Sequence, residues 1–354
     1  MGLKAGIIGL PNVGKSTIFN ALTKSTVPSE NYPFYTIDPN VGIVEISDNR
    51  LNNIANIFNP ETISPATVEF VDIAGLVRGA SKGKGLDNRF LSHIGDVNAI
   101  IHIVRSFKEG NMAHIEGNLN PIRDIESVEK RIEKLQKTAR LGDKYSKEEL
   151  AVLDFIYPKM NEGKLVHDIT LDDNQKIYVQ ILSLLTNKPI LYILNVDENE
   201  ISTEGKSFSF QQLLDFAKTR GNATIKLCGK LEAEISILPN EEKNLFLEEY
   251  SLSEPGLTKL IHASYKLLEL ETFFTVRGRE ARAWTIKNGM IATEAAGEIH
   301  TDMERGFIKA EVYTYDDLMQ YKSESALKDG GKIRLEGKNY IVQDGDIIFF
   351  KFNV

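Results

Sequence analysis

Apolar residues in this chain fall into two rhythms. Short apolar-rich runs at residues 5–8, 41–46, 67–71, 99–104, 189–194 and 223–227 predict strands, and the turn-rich edges that follow them point to a doubly wound, mostly parallel sheet. Residues 17–23 and 257–270 carry helical patterning. Between Asp124 and Leu185 the rhythm changes. Ile125, Val128, Ile132 and Leu135 recur at helical spacing, and a second amphipathic run at 147–160 predicts an antiparallel helical hairpin inserted into the α/β unit. From about Thr272 short strands dominate, at 273–276, 281–286, 310–312, 332–335, 340–342 and 347–352. Helical stretches at 292–300 and 315–321 interrupt them, so the last part reads as a small α+β domain.

The chemistry concentrates at the strand ends. Gly9-Leu10-Pro11-Asn12-Val13-Gly14-Lys15-Ser16-Thr17 fits GxxxxGK[ST], with a strand before it and a helix after it. Its glycines let backbone N–H groups turn onto phosphates, Lys15 reaches the β- and γ-phosphates, and the Ser16 hydroxyl ligates Mg²⁺. Asp72-Ile73-Ala74-Gly75 ends a later strand. A carboxylate there can hold Mg²⁺ through water while the Gly75 N–H meets the γ-phosphate. Asn195-Val196-Asp197-Glu198 and Cys228-Gly229-Lys230 end two further strands at the same sheet edge. The glycine-dense stretch Arg78 to Leu86, with Lys82 and Lys84, reads equally as a mobile loop near phosphate or as a solvated linker. The cations of the helical insertion, interleaved with Glu126, Glu129 and Glu133, read as a solvated face.

Composition narrows the setting. The 354 residues exceed one average core, and 42% hydrophobic content is ordinary for a globular chain. One cysteine, Cys228, excludes an intramolecular disulfide framework. The start lacks signal-peptide zones and no apolar run reaches membrane-spanning length, so the expectation is a cytoplasmic protein without membrane association. A net charge of −8 argues against unselective nucleic-acid coating and sequence-specific DNA binding, and leaves room for a local basic face meeting RNA.

Taken together, GLPNVGKST at 9–17, YPFYTIDPNVG at 32–42, DIAGLVRGASKGKGL at 72–86, NVDE at 195–198, AWTIKNG at 283–289 and the ending YIVQDGDIIFFKFNV resemble the YchF subfamily of Obg-like P-loop ATPases. The resemblance covers nearly the whole chain. It implies a nucleotide-binding domain in two parts (1–123 and 188–271), a helical arm (124–187) and a C-terminal β-grasp-like TGS domain (272–354). It further implies an ATP-hydrolysing switch that associates with the ribosome and regulates translation or a stress response, with Thr36 meeting Mg²⁺ and γ-phosphate. Asp87 and Gly95 depart from the family pattern, which has glycine and a basic residue there, and the passage 124–131 is shorter than usual.

Base choice follows from NVDE. Guanine-selective relatives end this strand in NKxD, whose Asp accepts two hydrogen bonds from guanine; here Val196 and Glu198 replace the Lys and the Asp. Losing a designed hydrogen-bond pair shifts selectivity by as much as ~10⁴ to 10⁵. The expectation is therefore ATP, with Asn195 or a nearby carbonyl accepting from the adenine amino group. Asn12, Val13, Gly14, Lys15, Ser16, Thr17, Gly75, Asn195, Val196, Glu198, Cys228 and Gly229 form the expected nucleotide site, and Ser16, Thr36 and Asp72 the metal shell. Leu76 stands where many small GTPases carry the water-orienting Gln. His114, matching a histidine of the family motif, is the candidate catalytic group, with an ordinary loop histidine as the other reading. By analogy with potassium-stimulated relatives, Asn12 could hold K⁺ beside the phosphates. Other readings are a non-catalytic nucleotide sensor that gates a protein partner, a GTP-using ribosome-assembly factor and a small-molecule phosphotransferase. Trp284 reads as core rather than as a ligand platform.

Overall fold

A computed structural model describes residues 3–10, 12–23, 40–73, 94–105, 121–162, 164–182, 184–202 and 208–353. In chain order it contains β1 (Lys4–Gly9), α1 (Lys15–Thr23), β2 (Val41–Glu45), α2 (Asn49–Phe58), β3 (Thr62–Ser64), β4 (Thr67–Asp72) and β5 (Ala99–Arg105). The helical segment follows as α3 (Pro121–Arg140), α4 (Lys144–Asn161) and α5 (Asp173–Ile181). Next come β6 (Ile190–Asn195), α6 (Glu198–Ile201), α7 (Phe208–Lys218), β7 (Ala223–Leu227), α8 (Gly229–Ile235), α9 (Asn240–Glu249) and α10 (Gly256–Leu267). The chain finishes with β8 (Leu270–Arg277), β9 (Glu280–Lys287), α11 (Ala292–Ile299), α12 (Thr301–Arg305), β10 (Phe307–Thr314), α13 (Tyr315–Tyr321), α14 (Glu324–Asp329), β11 (Arg334–Glu336) and β12 (Asp346–Phe352).

Two compact units result, one of residues 3–21 and 70–257 and one of 22–69 and 258–354. In the first, β1, β5, β6 and β7 run parallel, and the end of β4 lies beside β1 through Ile73 N–H donating to the Ile7 carbonyl at 3.1 Å. Every residue of β6 is buried, as is all of β5 up to Arg105. This is the pattern of strands covered on both faces, and it is why these segments read as unbroken apolar runs. Ile8, Ile73, Ile100, Tyr192 and Leu194 share one core with Leu213 and Leu231. The hairpin of α3 and α4 builds a core of its own around Val128, Leu135, Leu153 and Ile156, joined by Tyr178 and Val179 of α5. Its base is fastened by buried Asp124, whose carboxylate accepts from the Thr186 N–H at 2.7 Å and hydroxyl at 2.6 Å.

In the second unit a mixed sheet runs β11-β10-β12-β8-β9-β3, with α11 packed on one face over Phe273, Val312 and Ile348. The segment 41–69 is an integral member. β3 adds to β9 as a parallel edge strand, and α2 buries Leu51, Ile54 and Ala55. Arg50 on α2 forks onto Asp344 at 2.6 and 3.2 Å and lies over the Phe274 ring, while Asn53 donates to the Tyr315 hydroxyl at 2.7 Å. Two expectations are corrected here. The helix read as 257–270 stops at Leu267, because Glu269 takes a positive φ of 54° that turns the chain into β8. Residues 340–342 make one isolated bridge, Ile291 to Ile341, instead of a strand.

Candidate functional site

The carboxyl ends of β1, β4, β5, β6 and β7 converge in the first unit. Between Gly9 and α1 the backbone turns sharply, with Asn12 at φ 65° and Gly14 at φ 91°. Glycine is required at 14 twice over: the left-handed φ disfavours a side chain, and a Cβ would stand 2.2 Å from Asn195 Nδ2. At Gly9 a Cβ would meet Val13 Cγ2 at 2.7 Å and the Ile103 carbonyl at 3.0 Å. Helix α1 then begins at Lys15, and Ile18 N–H closes onto the Gly14 carbonyl at 3.0 Å. Its unpaired first N–H groups and positive dipole end make this turn an anion-binding surface.

Lys15 and Asp72, both largely shielded from solvent, form a direct ion pair. The cation of the phosphate loop and the carboxylate expected to serve a metal are therefore neighbours. Ser16 and Thr17 are exposed on the first turn of α1. Ser16 hydroxyl and Asp72 carboxylate are hard oxygen donors of the kind Mg²⁺ takes, with water and phosphate oxygens completing its shell. Among the described residues no cluster of three or more His, Cys, Asp or Glu could hold a metal by itself.

Asn195, 5% exposed at the end of β6, works as an internal brace. Its Nδ2 donates to the Val13 carbonyl at 2.8 Å and its Oδ1 accepts from the Gly229 N–H at 2.8 Å, tying the phosphate loop to the turn after β7. Each end of the amide holds one backbone group, which leaves its second lone pair and second N–H for a ligand. Val196 is buried in the core, its N–H bonded to the Leu227 carbonyl at 2.9 Å. Glu198 opens α6 and its carboxylate pairs with the largely exposed Lys230. Cys228 is buried at the start of α8, and burial pushes its thiol up.

These groups line a cavity of ≈ 320 Å³ bounded by Asn12, Gly14 and Thr17 on one side and by Asn195 to Glu198 and Cys228 to Lys230 on the other. That volume lies within the ~300–1,000 Å³ range of small-ligand sites. The lining also includes Arg105, Asp197 and Lys230, which lie outside the expected nucleotide site. Arg105 ends β5 and donates to the Asn12 carbonyl at 2.8 Å. Its signal was a cation following an apolar strand at the ligand edge, and that of Lys230 was its place next to Cys228-Gly229. Thr36, Gly75, Leu76, His114, Asp87 and the basic stretch 78–86 lie outside the described residues.

Two family profiles match the chain: one described as a 50S ribosome-binding GTPase over residues 4–154, and a YchF GTPase C-terminal family, described as of unknown function, over 270–353. Over its full length the chain is 48% identical to a Bacillus subtilis protein named "Ribosome-binding ATPase YchF" and 46% identical to its Escherichia coli O157:H7 namesake, covering 100% of each. A solved structure, described as the Schizosaccharomyces pombe YchF GTPase, superposes with a TM-score of 0.86 at 34% identity, covering 99% of this chain and 98% of that one.

Proposed function

The chain belongs to the YchF family, and from that premise we propose that it binds and hydrolyses ATP as a slow switch and docks on the ribosome. The observation that carries the choice of base is the end of β6. Asn195 is braced to Val13 and Gly229, and Glu198, which stands where NKxD has its Asp, is engaged by Lys230, so the carboxylate at that position is held by a cation instead of being offered to the guanine edge. Adenine, whose amino group needs only an acceptor such as a carbonyl of the cavity wall, fits the same place.

In this reading the N–H groups at the start of α1 cradle the phosphates, and Lys15 exchanges Asp72 for the β- and γ-phosphate oxygens. Ser16, Thr36 and Asp72 would hold Mg²⁺, which would supply screening of the phosphate charge. The Gly75 N–H meets the γ-phosphate. His114 orients the attacking water, since Leu76 has no polar atom to do so, and Asn12 supports K⁺. The protein acts in the cytoplasm; among the described residues no helix is long and apolar enough to cross a membrane.

A second reading, GTP as substrate, follows the GTPase descriptions of the amino-terminal profile and the fission-yeast structure. One set of assays separates the two. Titration with ATP and GTP is expected to favour ATP, and tight GTP with weak ATP overturns that assignment. In the same assay His114→Ala is expected to lower turnover at unchanged ATP affinity, and K⁺ to exceed Na⁺ in supporting it. Equal turnover in either comparison removes the corresponding role.

A further inference from the structure

The free end of the helical hairpin carries a charge asymmetry that its own packing creates. Several carboxylates of the hairpin are engaged inside it, while Glu133 stays exposed among the lysines of α3. Arg131 holds Glu149 at 2.6 and 2.8 Å, the Tyr157 hydroxyl holds Glu129, and the Tyr178 hydroxyl holds Glu148 at 2.8 Å. Asp143 caps α4 by accepting from the Ser146 N–H at 2.8 Å. The cations are left over. Lys130, Lys134 and Lys137 follow one another at i, i+4 and i+7 along the exposed face of α3, and Arg140 and Lys147 flank the turn; none makes an ion pair among the described residues. Residues 134–147 hold five cations and one carboxylate, in a chain whose net charge is −8. Lys144 has a carboxylate within reach, Glu148 at 3.8 Å, and is itself 91% exposed.

At the turn between the helices, where a polar residue would be ordinary, stands Leu141, 88% exposed, with Tyr145 at 52% a turn further on. A row of unpaired cations leading to an exposed aliphatic and an aromatic side chain suits a partner that is densely anionic and offers sugar or base faces to apolar contact. A purely acidic protein surface would use the charges and leave Leu141 idle. A purely apolar one would strand the lysines.

We infer that the outer end of the hairpin, from Lys130 through Leu141 to Lys147, is a docking surface for the phosphate backbone of structured RNA. The inference rests on the ribosome reading above and names the part of this chain that makes the contact. The cations would displace counterions from the phosphates, so binding should weaken steeply with salt, by about 0.9 in the log–log slope per phosphate neutralised on a duplex.

The test uses the full chain. Lys134→Gln/Lys137→Gln/Arg140→Gln is compared with wild type and with the charge-preserving Lys134→Arg/Lys137→Arg, all solvent-facing changes with basal ATP turnover as the control of folding. Binding is measured by co-sedimentation with purified ribosomes and by anisotropy on a synthetic RNA duplex, each across a salt series. The expected result is at least a tenfold weaker affinity and a slope reduced by about 2 to 3 for the triple Gln variant, with Arg replacements retaining both. Leu141→Ser should lower affinity without altering the slope. If wild type sediments with ribosomes and the triple variant does so with equal affinity and slope, the tip is not the contact, while the ribosome reading stands. If wild type fails to sediment in any nucleotide state, the ribosome reading falls, and the duplex series alone decides the tip. A loss confined to Leu141→Ser, with little salt dependence throughout, indicates a protein partner and overturns the assignment to RNA.

Discussion

His102 shows how far a single side chain's environment departs from its type. It sits inside β5, 5% exposed, with its ring 5.6 Å from that of Tyr192, and burial pulls its imidazole down to about 4. In the unfolded chain the same group titrates near 6.5. Above that pH it is neutral in both states. Between about 6.5 and 4 the unfolded chain takes up a proton that the folded one refuses, so stability is lost as pH falls, by on the order of 3 kcal/mol over the window. Thermal melts from neutral to mildly acid pH should show this decline, and His102→Gln should flatten it; identical profiles would assign the loss to other groups. Asn195 makes the complementary case. Asn195→Ala leaves the Val13 carbonyl and the Gly229 N–H without their partner, at a cost of about 2 to 4 kcal/mol in folding and a matching fall in ATP affinity. A variant with wild-type melting and titration would remove the brace. The motif position was legible in the sequence, but the bracing role was not, because it depends on which backbone groups the fold brings within 3 Å.

Among the elements, α8 and α10 are joined by a side chain acting as a cap. Glu232 on α8, 2% exposed, accepts from the N–H groups of Gly256 and Leu257 at 2.7 and 3.1 Å, satisfying two orphan donors at the start of α10 and complementing its dipole. Glu232→Ala should lower stability by about 2 to 4 kcal/mol, read as a lower denaturant midpoint, with ATP affinity nearly unchanged. An unshifted midpoint would show that water replaces the cap. Legibility at this scale followed burial. The strands β1, β5 and β6 were readable because doubly covered strands are continuous apolar runs. Helix α2 was not: four of its ten residues are asparagine, a poor helix former, and its apolar face is only Leu51, Ile54 and Ala55. Its caps are local, Asp48 accepting from the Arg50 N–H and Asn59 turning left-handed at the end, but the partners of Arg50 and Asn53, Asp344 and Tyr315, lie far along the chain where no local pattern could announce them.

For the whole chain, the consequence is that the unit containing the C-terminal sheet is built from two distant stretches. A chain ending at residue 269 would leave the Leu51 and Ile54 face of α2 and the edge of β3 without their partners, and would take Asp344 from the Arg50 guanidinium, which keeps Asp48. It should melt early and broadly and bind a hydrophobic dye, and a sharp melt at the wild-type temperature would refute this account. The profiles that match by sequence end at residue 154 and begin at 270, and neither limit is a seam of this unit. An inherited exchange of the C-terminal region between relatives would therefore succeed only when residues 41–69 travel with it. The two stretches should covary across lineages as though they were one gene segment.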